Sequence, residues 1–383
     1  MSIQFSILQK STENHARLGV IKTAHGDMQT PAFMPVATAA AMKGLTPAQV
    51  RATGSQCILN NPLHLMLRPG DERVAQLGGA HNFMRWNGPI LTDSGGFQAF
   101  SMAAIRDIDN DGVTFKSFVD GARVRVTPER SIQAQNNIGA DIIMAFDDCP
   151  PSAGADASTA RVEQAIERSA LWLERCNKAH ARKSDQALFG IVQGGTSLEL
   201  RARSLQLTQQ VDLPGYAIGG VAVGESTQSI CDVVQFTASK LPEHKPRYLM
   251  GVGYAHDIVM AVAAGVVMFD CVLPTRNGRN GLVFTRQGPV RLRNAVHTAD
   301  SQPIEADCDC ETCAGGFSRA YLRHLFMAGE MLGPTLASLH NIRFYQRLLL
   351  DIRRVIGCNA WSSLKEAWPC LAASPQSLHG DTE

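Results

Sequence analysis

Four polar side chains follow directly on short apolar runs of the sequence, each just before turn-forming residues. They are Asp93, Asp147, Gln193 and Asp270. Two carboxylates roughly 5 Å apart can substitute a group at a sugar anomeric carbon, one acid attacking while the other moves protons. Carboxylates can also bind Mg²⁺ or accept hydrogen bonds from a base. Sequence spacing does not choose among these roles.

A single aspartate after a strand often does no more than cap the next helix or turn the chain. Three aspartates and a glutamine in equivalent places favour a functional site instead. If they converge, burial and mutual proximity would separate the pKa values of the acids into different chemical roles.

The apolar runs themselves predict strands that are buried on both faces. They alternate with stretches of helical period, which is typical of parallel α/β sheets. The runs are Ala32–Val36, Gln56–Leu59, Pro89–Thr92, Asp141–Phe146, Ala187–Val192, Tyr216–Gly219, Tyr248–Gly251 and Val266–Phe269. Eight such units predict an α/β fold of the (β/α)₈ TIM-barrel type, in which the carboxyl ends of all strands open on one face. A doubly wound sheet is the alternative, because local patterns do not show closure.

Two regions interrupt the alternation. Gly112–Val126 predicts a hairpin around the turn Asp120-Gly121. After the last run comes a cluster of cysteine residues, followed by two helical stretches, Ser318–Ala328 and Thr335–Arg354. We therefore expect three parts: a barrel with an N-terminal antiparallel cover (1–290), a zinc-binding subdomain (291–350), and a C-terminal helix and tail that complete the barrel domain (351–383).

The cysteine cluster has the spacing C-x-C-x₂-C. Cys308, Cys310 and Cys313 predict a closed, structural Zn²⁺ site that lacks one ligand. An iron–sulfur cluster would usually need a fourth cysteine nearby. The fourth ligand is expected to be a histidine, and the spacing does not choose among His297, His324 and His340.

The segment between Cys271 and Ala299 contains neither an acidic residue nor a lysine. It contains five arginine residues: Arg276, Arg279, Arg286, Arg291 and Arg293. Guanidinium groups bind phosphates through several donors at once, so this stretch after Asp270 favours a polyanionic substrate.

Composition limits the other function classes. The chain has 383 residues, of which 45% are hydrophobic and 19% charged, with a net charge of +1. This balance argues against a globally basic nucleic-acid coat but allows a local basic patch. No apolar run is long enough for a membrane span, and no phosphate-binding glycine loop is present, so we expect a cytoplasmic protein without a nucleotide cofactor.

Several motifs, in family order across nearly the whole chain, resemble those of the bacterial tRNA-guanine transglycosylases, the queuine-type family. The most specific are Thr92-Asp93-Ser94-Gly95-Gly96-Phe97-Gln98, Met144-Ala145-Phe146-Asp147, Gly190-Ile191-Val192-Gln193-Gly194-Gly195, Pro274-Thr275-Arg276-Asn277 and the cysteine cluster. The resemblance implies a pentosyltransferase that replaces guanine at the wobble position of GUN anticodons with 7-aminomethyl-7-deazaguanine, through a covalent enzyme–RNA intermediate, on the way to queuosine. It also implies a homodimer.

The resemblance also assigns roles to individual residues. Asp270 is similar to the nucleophile and Asp93 to the general acid/base. The residues similar to those that bind or enclose the base are Asp147, Gln193, Gly220, Phe97, Met250, Cys149 and Val223. Arg276 and Arg279 would hold the RNA backbone. The zinc ligands would be Cys308, Cys310, Cys313 and His340.

The chain departs from the family pattern at Asn61-Pro62-Leu63-His64, where Asn-Thr-Tyr-His is usual. We expect this segment to border the nucleophile. Two other functions compete with base exchange: a non-catalytic or diverged tRNA-binding paralogue, and a barrel glycosidase acting on oligosaccharides. The intact pair of Asp93 and Asp270 argues against the first, and the arginine residues argue against the second.

Overall fold

A computed structural model describes residues 2–96, 106–150, 158–222 and 224–372. Two residues predicted to contact the base, Phe97 and Val223, lie outside these ranges.

Eight short strands form one parallel sheet. They are Ala32–Pro35, Ile58–Asn60, Ile90–Thr92, Ile142–Met144, Ala187–Val192, Gly215–Ile218, Arg247–Leu249 and Met268–Cys271. From the second strand onward, each strand pairs with the next one along the chain, and the last pairs with the first, Met268 lying opposite Ala32. A parallel bridge between Val36 and Leu59 joins the remaining two edges. The (β/α)₈ barrel is thus confirmed, and the doubly wound sheet is excluded because strand order follows chain order around a ring.

The barrel is filled and covered by apolar side chains. Its interior core includes Met34, Leu91, Ile142, Met144, Phe189, Ile191, Ala217 and Met268, all buried. A second and larger core lies between the strands and the surrounding helices. Strands with a core on each face are apolar over most of their length, which explains the nearly continuous runs in the sequence.

Helices surround the barrel. Their bounds are Pro47–Ala52, Pro62–Leu67, Asp71–Gln76, Gly79–Met84, Pro128–Ile138, Thr159–Ala179, Leu198–Thr208, Thr227–Lys240, Ala255–Ala263 and Leu273–Arg279. The helix Pro128–Ile138 shows how local sequence sets these limits. The Thr127 side chain accepts a hydrogen bond from the Arg130 N–H at its start, and Gly139 ends it at φ +79°.

Two antiparallel sheets lie outside the barrel. The first contains Gln4–Lys10, Arg17–Thr23 and Gly26–Thr30. The second contains the predicted hairpin, Gly112–Lys116 with Arg123–Val126, and a further strand, Arg106–Asp109, that the sequence pattern had not indicated.

The C-terminal region has a small core of its own. A hairpin, Leu282–Thr285 with Gly288–Arg291, precedes four α-helices and three short 3₁₀ helices. In chain order these seven are Ala295–His297, Glu311–Ala314, Arg319–Ala328, Leu332–Gly357, Trp361–Ser363, Leu364–Ala367 and Pro369–Leu371. Val283, Leu292, Leu322, Leu325 and Phe326 pack around the three clustered cysteine residues.

The helix Leu332–Gly357 packs on the barrel helix Leu273–Arg279 and also contacts the first barrel strand. It is continuous through residue 350, and the division of the chain at 290 and 350 stays a prediction. None of the described helices is both long enough and apolar enough to cross a bilayer.

Candidate active site

The carboxyl ends of the barrel strands surround a cavity of about 310 Å³. Asp93, Asp147, Gln193 and Asp270 all line it, so the structure brings together the four polar residues singled out in the sequence. Its other lining residues include Cys149, Gly220, Met250 and Arg276.

Asp270 lies near the end of the last barrel strand and is held by two donors. The Tyr248 hydroxyl and the Gly251 N–H both donate to its Oδ1, at 2.6 and 2.8 Å. Burial raises the pKa of Asp270 to about 6; the two hydrogen bonds oppose this rise, and the charge of Asp93 adds to it. Asp270 is therefore mostly ionised at neutral pH, with one oxygen fixed in place.

Asp147 is gripped on both carboxylate oxygens. The Ser94 hydroxyl donates to Oδ1 at 2.7 Å, and the Gln193 amide donates to Oδ2 at 2.6 Å. Burial raises the pKa of Asp147 to about 7, and the neighbouring charge of Asp93 contributes to the rise. This carboxyl therefore changes protonation near neutral pH.

Asp93 begins the loop after the strand Ile90–Thr92. Its N–H donates to the Asn60 carbonyl at 3.1 Å, and its Oδ1 accepts the Ser94 N–H at 2.7 Å. It is 8% exposed. Its charge raises the pKa of both Asp147 and Asp270, with which it lines the same cavity.

Gln193 and Gly220 form one wall of the cavity. Gly220 has φ +62°, and a Cβ atom there would lie 2.3 Å from the Gln193 Oε1. Only glycine therefore allows this close approach of the backbone. Within the described part of the chain, the buried Gln193 Oε1 has no hydrogen-bond partner, which leaves it available to a ligand donor.

Cys149 contributes shape rather than charge. Burial raises the pKa of its thiol to about 12, so it stays neutral. The preceding residue, Asp148, is fully buried and forms ion pairs with Arg161 and Arg168, which anchor this turn to the helix Thr159–Ala179.

Sequence reasoning missed Ser94 and Tyr248, which donate hydrogen bonds to the acids, and Arg201, which binds the backbone of the neighbouring wall. Tyr248 stood in an apolar run and resembled core, although its alternation with Met250 places both on one side of the strand. Arg201 interrupts the buried face of its helix, between Leu200 and Ser204. A charged residue on such a face is a signal that could have been used.

The departure Pro62-Leu63 lies beside the loop that follows Asp93. A Cβ atom on Gly95 would meet the Leu63 Cβ at 3.4 Å. The described contact places this segment against the loop of Asp93, and the expectation that it borders the nucleophile stays a prediction.

The arginine stretch does not form one surface. Arg276 lines the cavity and is exposed, and Arg279 is half-buried, with its pKa lowered by burial and by Arg276. Arg286 instead forms an ion pair with Asp351 and lies over the Trp368 ring. Arg293 lies over the ring of Phe326.

The cysteine cluster gains its histidine from the helix Leu332–Gly357. The ligand atoms of Cys308, Cys310, Cys313 and His340 lie within 4.8 Å of one another, and all four residues are buried. His340 Nδ1 is 3.6 Å from the Cys310 Sγ and 3.4 Å from the Cys313 Sγ. Its Nε2 lies 2.7 Å from the Phe284 carbonyl, which orients Nδ1 toward the thiols. The group can hold a metal ion.

A second cluster, His25, His81 and Asp141, lies away from this mouth and differs in geometry. The two imidazole rings stack with centroids 3.5 Å apart, and each lies against one oxygen of the fully buried Asp141 carboxylate. Nearly parallel rings at this spacing keep their lone pairs in separate planes, so they do not point at one shared ion. His25 and His81 also line a larger cavity of about 780 Å³, which contains none of the predicted site residues.

The chain is similar to known proteins over most of its length. Residues 11–370 match the family model described as queuine tRNA-ribosyltransferase. A protein of that name from Synechococcus elongatus is 52% identical over 355 residues, which cover 93% of this chain and 91% of the relative. Another, from Thermus thermophilus, is 51% identical over 352 residues, or 92% and 90%. The chain therefore belongs to the queuine tRNA-ribosyltransferase family.

Proposed function

We propose that this protein is a tRNA-guanine transglycosylase, which replaces guanine at the wobble position of GUN anticodons with 7-aminomethyl-7-deazaguanine. The observation that carries the proposal is the cavity in which Asp270 and Asp93 lie beside a base-binding pair, Asp147 and Gln193. A nucleophile, a proton-transfer group and acceptors for a base are what exchange at a glycosidic bond needs.

The reaction proceeds by two displacements at the ribose C1′. Asp270 attacks C1′ through a carboxylate oxygen, the bond from C1′ to guanine N9 breaks, and Asp93 supplies the proton that guanine takes up. The incoming 7-aminomethyl-7-deazaguanine then gives its N9 proton to Asp93. Its nitrogen attacks C1′ and releases Asp270. Protons and electron pairs balance over the two steps.

Recognition of the base rests on Asp147 and on the wall formed by Gln193 and Gly220. Ionised Asp147 and the unpartnered Gln193 Oε1 accept N–H groups of the base, while the Gly220 backbone contacts its carbonyl side. Met250 contacts the face of the ring, and Cys149 shapes the space around the 7-position. The family resemblance assigns the matching roles to Phe97 and Val223. The base must leave the anticodon stack to enter this cavity. Arg276 and Arg279 hold the adjoining phosphates.

The cysteine cluster fits Zn²⁺, because three thiolates and one imidazole are the ligands of closed structural zinc sites. The ion would hold the C-terminal region together without taking part in exchange. Val296, Met327 and Met331 expose apolar surface near this region, at 78%, 59% and 85%, which supports a homodimer. All ten cysteine residues are free of disulfides, as suits the reducing cytoplasm.

The deciding experiment measures exchange by the purified chain alone. Labelled guanine is incubated with tRNA carrying a GUN anticodon, with guanine and 7-aminomethyl-7-deazaguanine as competitors. We expect label to enter the tRNA and the deaza base to displace guanine irreversibly. A chain that binds tRNA but exchanges no base would be the non-catalytic paralogue, and the proposal would fail.

A further inference from the structure

We propose that Arg201 is a positioning residue for base recognition, which fixes the wall formed by Gln193 and Gly220 without touching the base. The inference rests on the proposed function, because it assigns a role within the same site. Arg201 is not among the residues that line the cavity, and its side chain is completely buried.

The guanidinium group of Arg201 joins the two strand ends that form this wall. Its Nε donates to the Gly195 carbonyl at 2.9 Å and its Nη1 to the Val192 carbonyl at 3.0 Å. Its Nη2 donates to the Gly220 carbonyl at 3.1 Å. Val192 ends one strand and Gly220 follows the next, so one planar group sets the distance between their loops.

The same helix also holds the other end of the Gln193 peptide group. The Ser204 hydroxyl accepts the Gln193 N–H at 2.9 Å, while Arg201 holds the carbonyl of the same peptide unit. With both ends fixed, the Gln193 side chain leaves the backbone in one direction, toward Asp147. The close approach of Gly220 to the Gln193 Oε1 further restricts the orientation of the Gln193 side chain.

The burial of the Arg201 charge costs free energy, which indicates that this residue does more than stabilise the fold. The three hydrogen bonds of the Arg201 guanidinium all go to neutral carbonyl groups. Burial lowers the pKa of Arg201 to about 10, against a smaller opposing effect of Glu225, so it remains charged at neutral pH. A buried charge held by neutral groups is a poor source of stability, and we infer that Arg201 acts through the geometry that it imposes.

The test uses Arg201→Met, Arg201→Lys and Arg201→Ala, with the base alone as the first probe. Calorimetry should show that 7-aminomethyl-7-deazaguanine binds at least about tenfold more weakly to each variant, because hydrogen-bonding partners are misplaced. Affinity for tRNA should stay within about twofold of wild type. Guanidinium at low concentration should restore base affinity in Arg201→Ala, whereas NaCl of the same ionic strength should not.

Arg203→Met is the matched control. Arg203 lies two residues further along the same helix, is half exposed, and forms an ion pair with Glu167. Base affinity should not change in this variant. Unchanged base affinity in folded Arg201→Met overturns the proposal, and so does a parallel loss of base affinity, tRNA affinity and thermal stability, or misfolding of all three variants. If wild type itself neither binds nor exchanges base, the proposed function fails instead.

Discussion

The barrel mouth and the cysteine cluster are both buried groups of titratable side chains, but the chain assembles them differently. The acids of the mouth come from separate strand ends and meet only when the barrel closes. Three of the four cluster ligands lie within six residues, and one long helix supplies the fourth. The acids of the barrel mouth line a cavity that admits a ligand, whereas the cysteine cluster is embedded in its own apolar core.

From this difference we expect the barrel mouth to serve the reaction and the cysteine cluster to serve the folded structure. Groups at the mouth keep pKa values near neutrality and adjoin an open space, so substitutions there should alter catalysis with small effects on folding. The ligand atoms of the cysteine cluster surround one internal position, so substitutions there should first alter folding and the docking of tRNA.

The largest effect is expected at Asp270, the proposed nucleophile. Asp270→Asn keeps the size of the side chain but removes the attacking charge, so exchange of labelled guanine should fall by at least about a thousandfold. The melting temperature should not fall, because the substitution removes a buried charge. Asp212→Asn, at an exposed acid away from the mouth, is the control and should retain activity. Substantial exchange by Asp270→Asn would reassign the nucleophile.

The second effect concerns the cluster. Cys310→Ser should lose bound metal and lower the melting temperature by on the order of 10 °C, because metal binding in such sites contributes directly to folding. The protein that remains folded should bind the base normally but tRNA weakly. Metal content by mass spectrometry and thermal unfolding check this, with Cys358→Ser, at an exposed cysteine, as control. Full metal content in Cys310→Ser would contradict the ligand assignment.

The third effect is a pH dependence confined to the mouth. Asp270 must be ionised to attack and Asp147 must be ionised to accept base N–H groups, with pKa values of about 6 and about 7. The value of kcat/KM should therefore fall as pH drops below 7, by up to about tenfold per unit for each group. Asp147→Asn should remove the limb near pH 7. A flat profile from pH 5 to 8 would contradict these roles.

The same pKa values make an opposite statement about stability. Folding raises both above the ordinary value of 3.8, so the folded state holds more protons than the unfolded state between about pH 4 and 7. The contribution of these acids to stability is complete below pH 4 and is lost as the pH rises through 6 and 7. At pH 8, Asp147→Asn should therefore unfold at a higher temperature than wild type.

The sequence predicted the parts of this molecule that depend on local pattern. Nearly continuous apolar runs indicated the eight strands, because a strand with a core on each face has few polar positions. The polar residues after four of these runs indicated the mouth, because parallel strands end on one face. The spacing of Cys308, Cys310 and Cys313 indicated the metal cluster without any knowledge of the fold.

Features that depend on packing between distant segments were not predicted. Nothing local distinguishes His340 from His297 and His324, since only the path of its helix brings it to the thiols. Tyr248 resembled a core residue because its partner, Asp270, lies on another strand, and the partners of Arg201 lie at the ends of two strands outside its own helix. For the arginine stretch the sequence indicated too much. Its residues share one segment and one composition, but they lie in different environments in the structure.

The smallest expected effect tests whether Arg276 and Arg286 have different roles. Arg276→Ala should weaken tRNA binding by about three- to tenfold and reduce the slope of log affinity against log salt by about one, because one phosphate contact is lost. Arg286→Ala should leave the salt slope unchanged but lower the melting temperature, because Arg286 pairs with Asp351 and stacks on Trp368. Filter binding over a salt series, with thermal unfolding of both variants, makes the comparison. If Arg276→Ala and Arg286→Ala reduced the salt slope equally, both arginine residues would contact phosphates and would act as one phosphate-binding surface. The packing of Arg286 against the protein would then not prevent its contact with RNA.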